Sequence, residues 1–232
     1  MATQKKTILI VGYGPGISKS AAKKFAAEGF SLALVARNAE KLEASVQALR
    51  KAGVEATGFP ADAGDPAAIG QAVREARTSL GPIHVILWNA YGAGAGDLLS
   101  APTEELRAAL NVPVLGLLSA VQAALPDLKR VTDGAVLVTN GGLGLLDANI
   151  ETVAIQWNAM GLAVANAAKH KLVRLLAQKL KAEGVYVGEV MVMSTVKGTA
   201  FDNGSATLDP DAIAETFWNL YQQRNETSVQ FK

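Results

Sequence analysis

Short apolar runs alternate with amphipathic segments along most of the chain. The runs are rich in Val, Ile and Leu and end at turn residues, which is typical of parallel strands covered on both faces. The segments between them carry apolar residues at spacings of three and four, which predicts helices. This alternation predicts an α/β domain with a parallel sheet. The predicted strands are Thr7 to Val11, Ser31 to Ala36, Val54 to Phe59, Ile83 to Asn89, Ala135 to Thr139 and Tyr186 to Val192.

Turn residues mark the ends of the predicted helices. Gly29, Gly53 and Gly184 each follow a helical segment where a left-handed cap is expected. We find no repeat and no linker, so residues 1–232 are predicted to form one domain. Residues 195–209 are the least regular stretch and predict a mobile loop before a last helix near Pro210. The earlier predicted helices are Ser18 to Glu28, Ala39 to Ala52, Pro66 to Ser79, Thr103 to Leu125 and Gly161 to Glu183.

Composition excludes several classes of protein. With 22 basic and 21 acidic side chains the chain lacks the positive field of a nucleic-acid or membrane-surface binder. It has no cysteine and two histidines, which argues against a metal site. No run of about 18 uncharged apolar residues stands out as a membrane span. We therefore expect a cytoplasmic protein that binds neither nucleic acid, membrane nor metal.

A glycine-rich turn follows the first strand and opens the first helix. Gly12, Gly14 and Gly16 would allow a tight turn and let a pyrophosphate reach the backbone N–H groups at the helix N-terminus. Tyr13 and Ile17 belong to the same turn. We predict that these five residues bind a dinucleotide.

The end of the second strand indicates which dinucleotide is bound. An acidic residue there would accept a hydrogen bond from the ribose 2′-hydroxyl of NAD. The segment Leu34 to Asn38 has no acid and carries Arg37, whose guanidinium suits a 2′-phosphate. The sequence therefore predicts NADP in preference to NAD.

Five landmarks together resemble the short-chain dehydrogenase/reductase superfamily along nearly the whole chain. The turn Gly12-x-x-x-Gly16-x-Ser18 is similar to the family's T-G-x-x-x-G-x-G. Asp62 resembles its aspartate beside the adenine ring, and Asn111 its asparagine that kinks a long helix and holds a water of the proton relay. The remaining landmarks are Trp88-Asn89-Ala90-Tyr91-Gly92, similar to N-N-A-G, and Leu176 to Val187, similar to L-A-x-E-L-x-x-x-G-I-R-V.

The resemblance implies a Rossmann-type, doubly wound sheet of about seven strands and a cofactor site that includes Asp62, Asn89 and Ala90. It implies an NADP-dependent oxidoreductase that transfers hydride to or from a small carbonyl or an activated double bond. It also implies a homodimer or homotetramer formed through the helices Thr103 to Leu125 and Gly161 to Leu180.

The catalytic part of the family pattern is altered in this chain. The family uses a tyrosine as general acid, a lysine four residues later and a serine that polarises the carbonyl. Its I-S-S motif aligns on Thr139-Asn140-Gly141, so Asn140 is the nearest remaining hydrogen-bond donor. Three alignments are possible for the family's tyrosine and lysine, and none of them places a tyrosine at the position of the general acid. They place the pair on Leu162 and Asn166, on Ala165 and Lys169, or on Trp157 and Val164, the last by similarity to the divergent enoyl reductases.

The candidate catalytic residues are therefore Asn111, Asn140, Trp157 and Lys169. Residue preferences alone favour a solvated helix face for Lys169 to Lys171 and apolar packing for Trp157. Tyr91 is equally compatible with packing and with a replacement hydroxyl. An alternative function is a nucleotide-binding sensor or partner subunit without turnover.

Overall fold

The core of the fold is a seven-stranded parallel sheet in a computed structural model that describes residues 5–92 and 94–232. The strand order is β3-β2-β1-β4-β5-β6-β7, and every neighbouring pair runs parallel. This is the doubly wound arrangement that the sequence predicted. The strands are β1 Thr7–Val11, β2 Ser31–Ala36, β3 Ala56–Pro60, β4 Ile83–Trp88, β5 Ala135–Gly141, β6 Tyr186–Val192 and β7 Ser228–Phe231.

Helices cover both faces of the sheet. Alternate residues of β1 point to opposite sides, so Ile8 and Ile10 join one core cluster while Leu9 and Val11 join the other. Complete burial of β1 explains why its sequence is an unbroken apolar run. The helices are α1 Ile17–Ala27, α2 Ala39–Lys51, α3 Pro66–Leu80, α4 Thr103–Leu110, α5 Leu117–Arg130, α6 Ala148–Gln156, α7 Met160–Leu180 and α8 Pro210–Gln223.

Three predicted strands, β1, β2 and β6, have the predicted bounds, and the others differ by a few residues at their ends. The predicted caps at Gly29, Gly53 and Gly184 are confirmed, since all three have positive φ. The sequence analysis did not place α6 or β7. Both are short, and β7 lies at the edge of the sheet where only a weak apolar pattern is required.

A π-helical segment, Asn111–Gly116, joins α4 to α5. It contains Pro113, which has no backbone N–H and so disturbs the regular helical bonding. The continuous helix Thr103–Arg130 is long and apolar enough to cross a membrane by length and composition, although the sequence analysis expected no such stretch. It packs on α3, β4 and α7, as a core helix of a domain does.

Candidate nucleotide-binding and catalytic site

The site lies at the carboxyl edge of the sheet, where β1 and β4 are neighbours. Strands β2 and β3 extend the sheet in one direction from this point, and β5 to β7 extend it in the other. The connections after β1 and β4 therefore leave the sheet on opposite faces and open a crevice between them. The glycine-rich turn and residues 89–92 form this crevice.

The geometry of the glycine-rich turn requires glycine and leaves its backbone accessible. Gly12 has a φ of 81°, and an added Cβ would lie 2.5 Å from the backbone nitrogen of Ala90. No atom of the described residues lies within 4 Å of the Cβ position at Gly14. Helix α1 begins directly after Gly16 with no acidic residue in its first turn. The positive end of α1 is thus open to an anion.

Asn89 joins the ends of three strands around the crevice. Its backbone N–H donates to Val11 O at 2.8 Å, and its Nδ2 donates to Gly12 O at 3.3 Å. Its Oδ1 accepts a hydrogen bond from Thr139 Oγ1 at 2.8 Å. Asn89 therefore fixes the glycine turn relative to β4 and β5, and the buried Ala90 packs against Gly12.

Arg37 lies next to the glycine turn. The backbone N–H groups of Gly12 and Tyr13 both donate to Val35 O, and Arg37 follows two residues later. Arg37 is exposed, and no carboxylate pairs with it in the described part of the chain. A guanidinium in this position is available to an anionic ligand.

Tyr13 and Asp62 lie on the same side of the crevice as Arg37. Tyr13 is half-buried near Ser45 of α2, and burial raises the pKa of its phenol above the usual value. Asp62 is exposed just after β3, where its Oδ1 accepts a hydrogen bond from Gly64 N–H at 2.9 Å. Both residues are thus near the end of the crevice that the sequence assigned to the adenosine.

Asn140 is buried, and all its amide hydrogens are engaged within the protein. Its Nδ2 donates to Glu189 Oε2 at 2.8 Å and to Asn166 O at 3.2 Å. Its Oδ1 accepts from the N–H of Gly141 at 2.9 Å. The hypothesis that Asn140 donates to a substrate carbonyl is therefore not supported, because no amide hydrogen is left for a ligand.

Lys169 is buried, which corrects the expectation of a solvated helix face. Only 3% of its surface is exposed, and burial lowers the pKa of its ammonium to about 8 although the charge of Glu189 opposes this effect. Its neighbour His170 is half-buried and contacts Glu189 through Nδ1. Only Lys171 of the three is exposed as expected.

Glu189 is the residue that the sequence analysis missed. It lies in the middle of β6, is fully buried, and contacts both Asn140 and His170. The available signal was a single carboxylate inside an otherwise apolar strand, since Asp and Glu are almost never fully buried unless paired. Glu189 places a negative charge directly behind the end of β5.

The structure shows where the α7 residues of the alternative tyrosine and lysine alignments lie relative to the end of β5. The amide nitrogen of Asn166 would lie 2.6 Å from a Cβ at Gly141, so Asn166 faces the turn after β5. Lys169 follows one helical turn later on the same side, beside Glu189. Leu162, one turn before Asn166, is half-buried.

The other catalytic candidates lie at the rim. Trp157 ends α6 and is 67% exposed, so the expectation that it packs in the core is wrong. Asn111 begins the π-helical segment, and its side chain makes no hydrogen bond within residues 5–92 and 94–232. Tyr91 is 46% exposed and contacts the ring of Phe201, with 5.2 Å between centroids.

The loop of residues 195–209 contacts the glycine turn at Gly16. Thr199 packs against Gly16, because an added Cβ there would lie 2.6 Å from Thr199 Cγ2. Phe201 reaches across to Tyr91 on the other side of the crevice. Asp202 organises the loop, since backbone N–H groups of Gly198 and Gly204 donate to it and hold its pKa below the usual value.

Comparison with known proteins gives the family context of this geometry. The family model described as short chain dehydrogenase matches residues 6–203. The meso-2,3-butanediol dehydrogenase of Serratia marcescens is 27% identical over 190 residues, which cover 82% of this chain and 71% of that protein. The mouse 17-beta-hydroxysteroid dehydrogenase 13 is 30% identical over 132 residues, 57% of this chain and 43% of its own length. Matches to several such relatives thus span about half of their length or less.

Solved structures show the same fold. A blue fluorescent protein from a metagenomic library, in complex with NADPH, has a TM-score of 0.85 and 24% identity, covering 98% of this chain and 96% of that one. An alcohol dehydrogenase from Thermococcus sibiricus, complexed with 5-hydroxy-NADP, has a TM-score of 0.82 and 23% identity over the same shares. At this identity the likeness concerns the fold.

Proposed function

Because the chain belongs to the short chain dehydrogenase family, we propose that it is an NADP-dependent oxidoreductase acting on a small carbonyl compound or an activated double bond. The observation that carries this proposal is the open glycine turn at the positive end of α1, with the exposed Arg37 beside it. The family relation supports oxidoreductase chemistry, and the two NADP-type complexes among the similar folds favour the phosphorylated cofactor.

The residues present fit this cofactor. The pyrophosphate would lie against the glycine turn, where the Cβ position of Gly14 is open and the Gly14 N–H donates to Ser18 Oγ, and Arg37 would bind the 2′-phosphate through charge-assisted hydrogen bonds. Asn89 and Ala90 would shape the wall beside the turn, and Asp62 would lie at the adenine end. When bound, the cofactor supplies or accepts the hydride.

Lys169 is the proton donor that we propose in place of a tyrosine. Tyr186 and Tyr221 are unsuited to this role, because they donate hydrogen bonds to Glu226 O and Asp133 Oδ2 at the amino edge of the sheet. An ammonium with a pKa of about 8 is charged at neutral pH and can still release its proton. In the reductive direction Lys169 Nζ would protonate the substrate oxygen and regain its proton from solvent.

The rim of the crevice favours an apolar substrate. Large apolar side chains are exposed on the connections that follow β4, β5 and β6 at the carboxyl edge. They include Tyr91, Leu99, Leu146, Trp157 and Phe201. Burial of a substrate against them would remove apolar surface from water, which is favourable. We therefore place a carbonyl compound with an apolar body in this crevice.

Titration with NADPH and NADH in parallel tests the cofactor assignment. We expect saturable binding with NADPH preferred, and we expect Arg37→Ala to weaken NADPH about 10- to 100-fold while NADH changes little. The reason is the loss of a charge-assisted hydrogen bond of about 1.5–3 kcal/mol, at about 1.4 kcal/mol per tenfold. Intrinsic cofactor fluorescence during the titration reports the dissociation constants.

Lys51→Ala is the matched control for Arg37→Ala, because it removes one positive charge at the far end of α2 and is also exposed. Equal losses of NADPH and NADH affinity in Arg37→Ala would rule out the 2′-phosphate contact. Tight NADPH binding with no turnover of any carbonyl would favour the alternative, a nucleotide-binding sensor or partner subunit.

Self-association through α5 and α7 belongs to the same proposal. Leu115 of the π-helical segment and Leu175 of α7 are both exposed, and a second copy of the chain that covered them would remove apolar surface from water. We expect light scattering after size exclusion to show a multiple of 24.1 kDa. Leu175→Glu should reduce this mass, since a charge would enter the interface. Leu146→Glu, at the rim, is the control and should leave the mass unchanged.

A further inference from the structure

Glu189 has no role in the function proposed so far, yet its position is energetically unfavourable. It is fully buried in the middle of β6, between Val187 and Met191 on the same face of the sheet. Removing a carboxylate from water costs several kcal/mol, and a well-packed apolar residue would commonly be more stable there. The burial of this carboxylate therefore requires a compensating set of contacts.

The contacts of Glu189 connect it to the catalytic end of the crevice. Oε2 accepts a hydrogen bond from Asn140 Nδ2 at 2.8 Å, and Oε1 contacts His170 Nδ1. Asn140 is part of the turn after β5, because its own Oδ1 accepts from Gly141 N–H. The carboxylate thus holds a side chain at the floor of the site and touches α7 at the residue next to Lys169.

Lys169 is the buried cation on which the charge of Glu189 acts, and it is the neighbour of His170 on α7. Its side chain is buried, and among the described residues Glu189 is the acidic side chain whose charge affects its pKa. No hydrogen bond or ion pair engages Nζ in the described part of the chain. The negative charge of Glu189 therefore partly offsets the loss of hydration of the buried ammonium.

We propose that Glu189 is a positioning residue of the site, which holds Asn140 through one oxygen and keeps the buried ammonium of Lys169 charged. His170 holds the other oxygen, and since 27% of its side chain is exposed it borders both solvent and the buried pair. The proposal rests on the proposed function, in which Lys169 donates a proton. It goes beyond that function because it assigns the charge state of the donor to a carboxylate on a different element.

The groups that face this cluster are few. Helix α7 contributes Lys169 and His170, and β5 contributes the uncharged Asn140. On β7, the neighbouring strand, no charged side chain is present, and the contact from that side is the Glu189 N–H, which donates to Thr227 O. The charge of Glu189 is accordingly the main charge that acts on Lys169.

The test is an NMR titration of the protein without ligand, labelled with 13C at the ε carbon of lysine. The Lys169 signal is assigned by its loss in Lys169→Arg. We expect a midpoint near pH 8 in the native chain and a midpoint lower by about 1 pH unit in Glu189→Gln. Glutamine keeps the size and an acceptor for Asn140 but removes the charge. An unchanged Lys169 midpoint in folded Glu189→Gln would overturn the proposal.

Further variants separate this proposal from a structural effect. Glu189→Asp retains the charge and should keep the midpoint within a few tenths of a unit, while Glu183→Gln, on an exposed carboxylate, is the matched control and should leave it unchanged. If Glu189→Gln does not fold, Glu189→Gln combined with Lys169→Met should restore folding, because the two charges then disappear together. Failure of this rescue would overturn the proposal.

Measurements of turnover separate the role proposed for Glu189 from the proposed oxidoreductase function. If the enzyme reduces a carbonyl, the alkaline limit of kcat/KM in Glu189→Gln should move down by the same amount as the Lys169 midpoint. A shift of the midpoint in a protein without any turnover would support the assignment of Glu189 and contradict the oxidoreductase function. Turnover with an unshifted midpoint would support the function and overturn the assignment.

Discussion

Gly12→Ala is expected to abolish high-affinity NADPH binding and to lower the free energy of unfolding. The residue has a φ of 81°, which costs a non-glycine residue about 1–3 kcal/mol. The new Cβ would also lie 2.5 Å from the backbone nitrogen of Ala90, so the wall of the crevice must move. We expect NADPH affinity to fall about 100-fold or more, which is about 2.8 kcal/mol, measured by fluorescence titration.

Gly53→Ala is the control that separates the clash with Ala90 from the strain of a positive φ. Gly53 has a φ of 80°, but nothing lies within 4 Å of its Cβ position. This control should be destabilised by about 1–3 kcal/mol in a denaturant titration and should bind NADPH normally. Gly12→Ala should lose more stability than this, because it adds the clash to the same strain. Equal stability and equal affinity in the two variants would contradict the tight approach of residues 12 and 90.

Lys169→Met should lower kcat for carbonyl reduction by about 10²- to 10⁴-fold while leaving NADPH binding within a few fold. Methionine has a similar length and fills the buried space, but it cannot donate a proton, and general acid catalysis typically contributes this much. Steady-state kinetics and the parallel NADPH titration provide the two measurements. Lys171→Met, on the exposed side of the same helix, is the control and should retain full activity.

The pH dependence gives an independent test of the same donor. Burial lowers the pKa of Lys169 to about 8, so the ammonium is present below this pH and lost above it. The rate of reduction should therefore fall as the pH rises through about 8, and this limit should be absent in Lys169→Met. A pH limit that persists in Lys169→Met would assign the proton to another group, and the partly exposed phenol of Tyr91 at the rim is the next candidate.

Local patterns were sufficient to predict much of the fold. The apolar runs of β1, β2 and β6 indicate their bounds, because a strand that is buried on both faces is mostly apolar, and Glu189 is the charged exception within β6. The glycine-rich turn is equally local, since its requirement for positive φ and open backbone lies within a few residues. Short or partly exposed elements such as β7 carry no comparable signal.

The catalytic candidates could not be predicted in the same way. Most lysine side chains are solvated at the protein surface, and this general preference predicted the wrong environment for Lys169. Tryptophan side chains usually pack against other apolar residues, whereas Trp157 is exposed at the rim. Each environment depends on what the rest of the chain places beside the residue, and that information is absent from its own neighbourhood in the sequence.

The sequence by itself therefore determined the parallel sheet, the glycine-rich turn after β1 and the position of Arg37 after β2, because short-range periodicity and backbone requirements specify them. Only the tertiary structure decided that Asn140 is engaged by Glu189, that Lys169 is buried beside that carboxylate, and that Phe201 reaches Tyr91. These pairs are separated by about 20 to 110 residues along the chain, and they meet because β5, β6 and the loops after them end at one edge of the sheet.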